Sequence, residues 1–366
     1  MIAGSYVSRG LKRDKVLTII GISRHQYYNK PKGKRPGRKP TETVVKLSDN
    51  QKIEVANKTV VEEIETIQSD PDTDYGYRKM YFALMMLGYF INHKKVYRLM
   101  KENGMLKERY KRKMKNYAKY RIVTPEGPLE VLEMDIKLVW VVKDRRHAYI
   151  LTVIDTFTRA VMYRGLGFTM KSDQVQRAWE YVITHYLQPA DQLRKKIHVE
   201  IRNDNGPQFS SKVIREFFEQ NYLNQVFTHP YTPQENGHIE SFHSILSKAI
   251  GTQVFWDMPE LETFLILFYE KYNNHRIHAS IANLSPRLFW ALWEKGKISR
   301  TVMKNKKVKF KLMLPYQQLS GKMNMREVPC LTLSEFDTQM KLQKEVSGPE
   351  ALQQPSVQKS PSVVPC

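Results

Sequence analysis

The sequence has 366 residues, a length that suits two or three domains of ordinary size. Its 59 lysines and arginines against 37 aspartates and glutamates leave a formal net charge of +22 at pH 7, an excess that indicates a polyanionic partner. Hydrophobic residues at 41% and aromatic residues at 11% are normal for a folded protein, and they exclude a fully disordered basic tail protein.

Cysteine usage and hydropathy indicate a reducing compartment. The two cysteines, Cys330 and Cys366, are too few for a disulfide framework and too near the C-terminus to supply a Cys-x-x-Cys half-site for zinc. The most apolar window, residues 82–91, is shorter than the roughly 18 residues that a membrane helix needs, and the N-terminus lacks the apolar region of a signal peptide. We therefore expect a cytoplasmic protein without structural zinc and without a membrane segment.

The first predicted domain, residues 1–40, combines a helix-turn-helix with a basic linker. Ser23, with Gln26 three residues later, has the pattern of a capping box that opens the second of two short helices. Arg24, at the start of that helix, is a candidate DNA contact. Residues 30–39 hold six lysines and arginines and no acid, which is typical of a solvated linker and would also suit a segment that lies along phosphates.

The second predicted domain, residues 48–121, is a compact bundle of three helices with a basic extension. Apolar residues recur at helical spacing from near Ser48, again over residues 77–87, and again in a helix that Asn92 caps. The last helix presents its cations opposite the apolar stripe, as a recognition helix in a DNA groove would, although a merely solvated helix shows the same pattern. Between residues 94 and 121 there are twelve lysines and arginines and two glutamates. The candidate DNA contacts of this domain are Lys94, Lys95, Arg98, Lys101, Arg109, Lys111, Arg112 and Lys113.

Residues 126–293 are the third predicted domain, in which β-branched apolar runs replace the basic helices. Three successive strands of an antiparallel meander are predicted within residues 131–168, and helix and strand alternate after them. We therefore expect a mixed α/β sheet with closing helices. A small basic C-terminal element is predicted over residues 301–332, and it is a further candidate for DNA binding. Residues 334–366, rich in Gln, Ser, Pro and Val, predict a disordered tail.

Three acidic residues of the third domain are placed where their carboxylates could converge. Asp135 is predicted at the centre of the first strand, Asp204 follows a short strand and precedes an Asn-Gly-Pro turn, and Glu240 begins a helix. Neighbouring carboxylates cannot all stay ionised without cations, and hard oxygen ligands favour Mg²⁺ or Mn²⁺. Two such ions, about 4 Å apart, suit phosphodiester chemistry. Because any long chain offers such triples by chance, the surrounding motifs decide the interpretation.

Those motifs resemble the three acidic motifs of retroviral-integrase-like transposases. They are VLEMDIKLVW, RNDNGPQFSS and HPYTPQENGHIESFHSILSK, and the 35 residues between Asp204 and Glu240 match the family's gap. Upstream, YGYRKMYFALMMLGYFINHKKVYRLMKENGM resembles the helical DNA-binding module of OrfB-type transposases of bacterial insertion sequences. YNNHRIHASIANLSPRLFW resembles their closing segment, so that the resemblance spans residues 10–293.

The resemblance implies an α/β fold, with a ribonuclease-H-like integrase catalytic core preceded by helix-turn-helix DNA-binding modules. Asp135, Asp204 and Glu240 then take the three metal-ligand positions for two Mg²⁺ ions, with Mn²⁺ as a substitute. The implied reaction is DNA strand cleavage and strand transfer without a covalent protein intermediate. The implied partners are double-stranded DNA, both as terminal inverted repeats and as target, and further copies of the chain on that DNA. A small upstream-frame protein, to which such chains are often fused, is another, and the implied location is the nucleoid in the bacterial cytoplasm.

Residues around the acids take further roles by the same resemblance. Asn205 and Gln234 match positions that shape the site and the target-DNA path. The family often carries a basic residue seven positions after the glutamate; here Ser247 stands there, and Lys248, which follows it, is the candidate DNA contact. For Arg276, in the closing segment, phosphate contact and simple packing are both open.

Three other polar residues are expected to have structural roles. Asp155, in VIDTFTR, matches the family's second strand rather than an acidic ligand position, so that a turn or cap role is expected. His238 and His243 flank Glu240 on one predicted helix, but a spacing of five residues suits a shared ligand set poorly. We expect both histidines to face DNA or to be structural.

Three functions are compatible with these patterns. The first is a transposase that binds the terminal inverted repeats of its element and cuts and joins DNA. The second is a catalytically silent, transposase-derived DNA-binding regulator, since binding modules act without metal ions. The third is a simple ribonuclease-H-type nuclease, which would act on RNA–DNA hybrids and would not need two cationic helical modules upstream.

Overall fold

The computed structural model describes residues 2–28, 40–48, 51–107, 124–192, 199–228, 233–303 and 307–319. The predicted basic linker, most of the basic extension after residue 107 and the predicted tail lie outside these ranges. The chain divides into two compact units, residues 1–44 and the remainder. In the part that the structure describes, no helix has the length and apolar character needed to span a membrane.

Three short helices form the N-terminal unit: α1 (Ile2–Ser8), α2 (Arg13–Ile20) and α3 (Arg24–Tyr28). The two predicted helices are present as α2 and α3, and Gly21 ends α2 with a φ of 72°, a conformation that glycine adopts without strain. The predicted capping box is also present. The Ser23 amide donates to Gln26 Oε1 at 2.9 Å, and the Gln26 amide donates to Ser23 Oγ at 3.2 Å.

The next part of the chain combines helices with a small sheet in the order β2-β1-β3. Its elements are β1 (Thr43–Ser48), β2 (Gln51–Ala56), α4 (Asn57–Ser69), α5 (Tyr77–Met86), β3 (Tyr89–Phe90) and α6 (His93–Glu102). All three predicted helices are found, and the Asn92 side chain caps α6 by accepting a backbone N–H at 2.9 Å. The prediction that the first helix begins near Ser48 is wrong, because β2 occupies that segment. Ile53 and Val55 alternate with polar residues there, which suits a strand.

A five-stranded mixed sheet lies at the centre of the third domain. Its strands are β4 (Val131–Val141), β5 (Arg146–Asp155), β6 (Val161–Gly167), β7 (Val199–Asn203) and β8 (Leu223–Phe227). The order is β6-β5-β4-β7-β8. Strands β4, β5 and β6 form the predicted antiparallel meander, whereas β7 pairs parallel with both β4 and β8. The expected mixed α/β sheet is confirmed, with β4 in its middle.

Helices cover both faces of this sheet. They are α7 (Ser172–Val182), α8 (Pro207–Ser210), α9 (Lys212–Gln220), α10 (Gly237–Ile250), α11 (Met258–Asn274) and α12 (Pro286–Glu294). The alternation of side chains along β4 separates two apolar layers. Met134 packs with Trp179 of α7 in one layer, whereas Val139 and Val141 pack with Phe242 of α10 in the other. Odd-numbered residues in the middle of β4 therefore face α10.

The predicted basic strand near the C-terminal end belongs to a hairpin of β9 (Ile298–Val302) and β10 (Val308–Leu312). The ring of Phe310 lies 5.1 Å from that of Phe157 and 4.9 Å from that of Phe289. Lys309 and Lys311 alternate with these apolar residues and are exposed. The hairpin is thus packed on the sheet domain by its apolar side and carries lysines on the other.

Asp155, at the end of β5, is fully buried and organises the turn that follows. Its carboxylate accepts hydrogen bonds from the Leu129 amide at 3.2 Å, the Thr158 amide at 2.8 Å and the Thr158 hydroxyl at 2.6 Å. The expected turn role of this aspartate is confirmed.

Replacing Asp155 with alanine should lower the free energy of unfolding by about 3 kcal/mol, because several buried donors lose their acceptor. Asp155→Asn keeps one acceptor oxygen and should cost less. Urea unfolding followed by circular dichroism measures both. Asp144→Ala, which removes an exposed carboxylate from the turn between β4 and β5, is the control and should change stability by no more than about 0.5 kcal/mol. Equal stability of Asp155→Ala and the wild type would contradict the assignment.

Candidate active site

Asp135 lies in β4, where the central strand passes the end of β7. It pairs with Thr152 of β5 on one side, whereas the pairing of β4 with β7 extends only to Glu133. The Asp135 side chain is 27% exposed, and it shares its face with Val139, under α10. An open edge therefore begins at Asp135, on the side where β7 has ended.

Asp204 directly follows β7 and comes beside Asp135. The parallel register pairs Glu133 with Arg202, the last pair that β4 and β7 share, so that Asp135 and Asp204 each follow this pair by two residues, and the negative charge of Asp135 acts on Asp204. Paired strands lie about 4.8 Å apart. Asp204 is exposed, and its Oδ1 accepts the Gly206 amide at 3.1 Å, which forms the sharp turn expected from the Asn-Gly-Pro sequence.

Glu240 lies in the first turn of α10 and is exposed. The buried residues of this helix, Ile239, Phe242 and Leu246, belong to the apolar layer on the α10 face of the sheet. Because Asp135 lies on that same face, the helix brings Glu240 toward the rim where the two aspartates lie.

Asp135 influences the protonation of the other two carboxylates. Burial raises the pKa of Asp204 and that of Glu240, and the negative charge of Asp135 raises both further. At Asp204 the Gly206 amide opposes the shift. Like charges act in this way only at short range. The structure thus brings the three predicted acids into one electrostatic cluster centred on Asp135.

The three carboxylates have the chemistry that a divalent cation needs, but their side chains are too far apart to hold one together. Within the described ranges, no three His, Cys, Asp or Glu side chains are close enough to hold a metal ion. The three acids do supply several carboxylate oxygens, the ligands that Mg²⁺ and Mn²⁺ prefer, and their mutual repulsion is what a cation would relieve. Asp204 and Glu240 are exposed, so that their side chains have room to turn inward.

His243 contacts Asp135, a role that the sequence did not indicate. Its Nδ1 lies 3.2 Å from Asp135 Oδ2, and its side chain is 13% exposed. The expectation that both histidines face DNA or are structural is refined accordingly. His238 is half-buried, and burial together with the charges of Arg159 and Arg202 holds its pKa well below the usual value. A spacing of three residues after Glu240, about one helical turn, is the signal that could have identified His243.

The comparisons with known families agree with this architecture. A family model described as Integrase core domain matches residues 125–233, and a second model with the same description matches residues 221–286. A model described as HTH-like domain matches residues 54–113. The predicted fold class, a mixed α/β integrase core preceded by an HTH-like domain, is confirmed.

Among known proteins, the chain is similar to products of bacterial insertion elements. It is 24% identical over 219 residues to the 31.7-kDa protein of insertion element IS407 from Burkholderia multivorans, covering 59% of this chain and 76% of that protein. It is 26% identical over 228 residues to the protein described as the InsK transposase of insertion sequence element IS150 from Escherichia coli strain K12, covering 58% and 76%. The chain is thus similar, over about three fifths of its length, to proteins of bacterial insertion elements. Among solved structures, the catalytic core domain of BIV integrase aligns with 20% identity and a TM-score of 0.35, covering 46% of this chain and 98% of that one.

In the region that matches the HTH-like domain model, the predicted DNA-contacting cations of α6 have unequal exposure. Lys94 and Lys101 are exposed, whereas Lys95 and Arg98 are half-buried. Arg98 Nε lies 3.8 Å from a carboxylate oxygen of Glu102, one turn further along the helix. Two of the four side chains therefore project outward from α6, and two lie along its flank.

The other candidate DNA contacts are spread over several elements. Asn205 is exposed beside Asp204 and donates to a backbone carbonyl at 3.4 Å, and Lys248 is exposed near the end of α10. Gln234 lies in the 3₁₀ turn that leads into α10. Arg24, in the N-terminal unit, is exposed and lies 2.6 Å from Asp14. The remaining candidates lie outside the described ranges: Arg109, Lys111, Arg112 and Lys113.

Arg276 lies where the HTH-like domain contacts the integrase core. It is half-buried, and its Nη1 donates to the backbone carbonyl of Asp72. Beside it, the Ile277 amide donates to the Tyr75 hydroxyl at 2.9 Å. Of the two roles that the sequence left open for Arg276, this geometry supports packing.

Removing one carboxylate from the cluster should not destabilise the protein when divalent cations are absent. Because the pKa values of Asp204 and Glu240 are raised in the folded state, their ionisation at neutral pH opposes folding, and this penalty disappears as the pH falls and they become protonated. Asp204→Asn and Glu240→Gln should therefore keep or raise the wild-type melting temperature at pH 7 in EDTA, with the difference shrinking in acid.

Thermal unfolding followed by circular dichroism measures this effect, with Asp144→Asn as a matched control outside the cluster. A fall of several degrees in both cluster variants at pH 7 would show that the carboxylates stabilise the fold instead.

Proposed function

We propose that this protein is a DNA transposase that cleaves DNA at the ends of its element and joins those ends to a target. The observation that carries the proposal is the arrangement of Asp135 in β4, Asp204 directly after the neighbouring β7, and Glu240 in the first turn of α10, the helix that covers the sheet face of Asp135. Each of these residues stands where the family resemblance predicts an acidic ligand. The matches to the two Integrase core domain models support polynucleotidyl transfer as the class of reaction.

In this proposal Asp135, Asp204 and Glu240 hold two Mg²⁺ ions, or Mn²⁺ in their place. When bound, such ions would supply the activation of a water or a 3′-hydroxyl and the stabilisation of the leaving oxygen of the phosphodiester. The surrounding strands and helix position the three acids. Asp135 is held by β4, with one oxygen against His243, while the end of β7 and the first turn of α10 present the other two acids.

The HTH-like domain is the DNA-binding part, and we propose that it recognises the terminal inverted repeats through α6. Lys94 and Lys101 project from that helix, and Lys309 and Lys311 of the C-terminal hairpin add exposed charge on the integrase core. The active form proposed is a homo-oligomer on DNA, in the nucleoid of a bacterial cytoplasm. The upstream-frame partner implied by the resemblance stays a prediction.

A catalytically silent DNA-binding regulator is the second candidate. It is favoured by the observation that, among the described residues, no three ligand side chains are close enough to hold a metal ion. A regulator would keep the HTH-like domain and its cations but would not need the acids to close on an ion. Divalent-ion-dependent cleavage therefore separates the two functions.

Asp135→Asn, Asp204→Asn and Glu240→Gln should each lower the rate of nicking and joining of labelled terminal-repeat DNA by at least about 100-fold, because each removes a charged ligand. Binding of the same DNA, measured by mobility shift, should stay within about threefold of wild type, since the cations are untouched. Matched controls are Asp144→Asn and Glu216→Gln, exposed acids on the β4–β5 turn and on α9.

The wild-type reaction separates the three functions. Binding without cleavage in either Mg²⁺ or Mn²⁺ would support the regulator, and cleavage confined to RNA–DNA hybrids would support a nuclease. Loss of cleavage in the matched controls as well would contradict the special role of the cluster.

The affinity for DNA should fall steeply with salt, because each phosphate contact releases a counterion. Lys94→Ala and Lys101→Ala should each reduce the slope of log K against log salt by about 1. Lys212→Ala, which removes an 87% exposed lysine from α9, is the control and should leave the slope unchanged. Fluorescence anisotropy over a salt series measures the slopes, and a flat wild-type response would contradict the phosphate-contact assignment.

A further inference from the structure

Two charged side chains are buried two positions before Asp135 and Asp204 in the sequence. Glu133 precedes Asp135 by two positions in β4, Arg202 precedes Asp204 by two positions at the end of β7, and the two are register partners. Glu133 is 0% exposed and Arg202 is 3% exposed. Charged residues are almost never buried to this extent unless they are paired, so that both positions need an explanation.

Glu133 caps the helix that carries Glu240. The N-cap residue of α10, Asn236, makes no capping hydrogen bond with its own side chain. Instead, Glu133 Oε2 accepts the Ile239 amide at 2.7 Å, and the neighbouring His238 amide favours the ionised form of the same carboxylate. The first N–H groups of a helix lack partners and carry partial positive charge, which favours a carboxylate there. The cap comes from the neighbouring sheet and ties the first turn of α10 to β4.

Arg202 holds the chain just before this turn. Its Nη1 donates to the Glu235 carbonyl at 3.2 Å, and its Nε donates to the Glu200 carboxylate at 2.5 Å. Glu133 of β4 and Arg202 of β7, which are register partners, therefore bind the backbone on either side of Asn236.

A helix cap does not require a buried charge from a distant strand. Burial raises the pKa of Glu133 to about 7, even though the two amides and the cations Arg159 and Arg202 favour its ionised form. Asp257 caps α11 with its own side chain, which accepts the Glu260 amide at 3.1 Å. A local cap of that kind stabilises a helix, but it does not set the distance between the helix and the sheet. The cap on α10 does both.

We propose that Glu133 and Arg202 are positioning residues for Glu240. Glu240 directly follows an amide that Glu133 binds, and Asp135 lies two positions from Glu133 on the same strand face. Glu133 and Arg202 thus connect β4, which carries Asp135, and the end of β7, which precedes Asp204, to the first turn of α10, which carries Glu240. This inference rests on the proposed function, because it assigns the pair a task in strand cleavage and joining.

The test compares Glu133→Ala, Glu133→Gln and Asp257→Ala in the full chain. In Glu133→Ala the rate constant of strand transfer at saturating DNA should fall about 100-fold, the effect of a displacement of about 1 Å, while the Kd for DNA stays unchanged. Glu133→Gln keeps an acceptor oxygen at similar reach, and its rate should lie within about fivefold of wild type. Asp257→Ala removes the cap of a helix without a site acid and should leave the rate unchanged.

Amide hydrogen exchange measures the anchor without requiring catalysis. Exchange at His238 and Ile239 should accelerate about fivefold or more in Glu133→Ala, the size of effect expected on losing a helix cap, and should be unchanged in Asp257→Ala. Arg202→Lys keeps the charge but not the guanidinium fork. It should slow transfer about tenfold and accelerate the same exchange, and it carries the test should Glu133→Ala fail to fold.

If Glu133→Ala and Arg202→Lys both kept the wild-type rate of strand transfer, the positioning role alone would be overturned. The same holds if both kept the wild-type rate of amide exchange at His238 and Ile239. A slowed Asp257→Ala would also overturn it, because any loss of helix stability would then suffice. Absence of transfer by the wild-type protein would overturn the proposed function, and the exchange data would still decide whether the anchor exists.

Discussion

The parallel register between β4 and β7 is the constraint on which the candidate site depends. It pairs Glu133 with Arg202, so that Asp135 and Asp204 each lie two residues beyond that pair. Because side chains recur on one face of a strand every second residue, the buried pair and the two aspartates share a face. A slip of either strand by one residue would turn its charges into the apolar layer under α7. Register therefore decides at once which charges are buried and which line the rim.

Electrostatic repulsion among the three carboxylates is opposed by apolar packing between the sheet and α10. Burial and the negative charge of Asp135 raise the pKa of both Asp204 and Glu240, so that the ionisation of these two residues at neutral pH opposes folding. The apolar layer between the sheet and α10, to which Phe242 contributes, acts in the other direction. Unfavourable groups of this kind persist at functional sites where the surrounding structure over-determines their position.

Most elements could be predicted from the sequence because their apolar residues repeat with the period of a strand or a helix. The meander, the short strand before Asp204 and the helix that begins near Glu240 were expected, and they are present as β4–β6, β7 and α10. The strand β2 was missed because five of its six residues are exposed, so that burial leaves almost no pattern there. Its place in a sheet depends on β1, which in turn pairs with the distant β3. No local pattern encodes that arrangement.

By itself, the sequence determined the three acids and the local structure that carries each of them: a strand, a turn after a strand, and a helix start. Each of these is set by residues within a few positions, which is why motifs identify them. Only the tertiary structure decided the roles of Glu133, His243 and Arg276. Glu133 binds an amide 106 positions away, and Arg276 binds a carbonyl 204 positions away. The partners in both cases are backbone groups, which every residue carries, so that packing alone selects them.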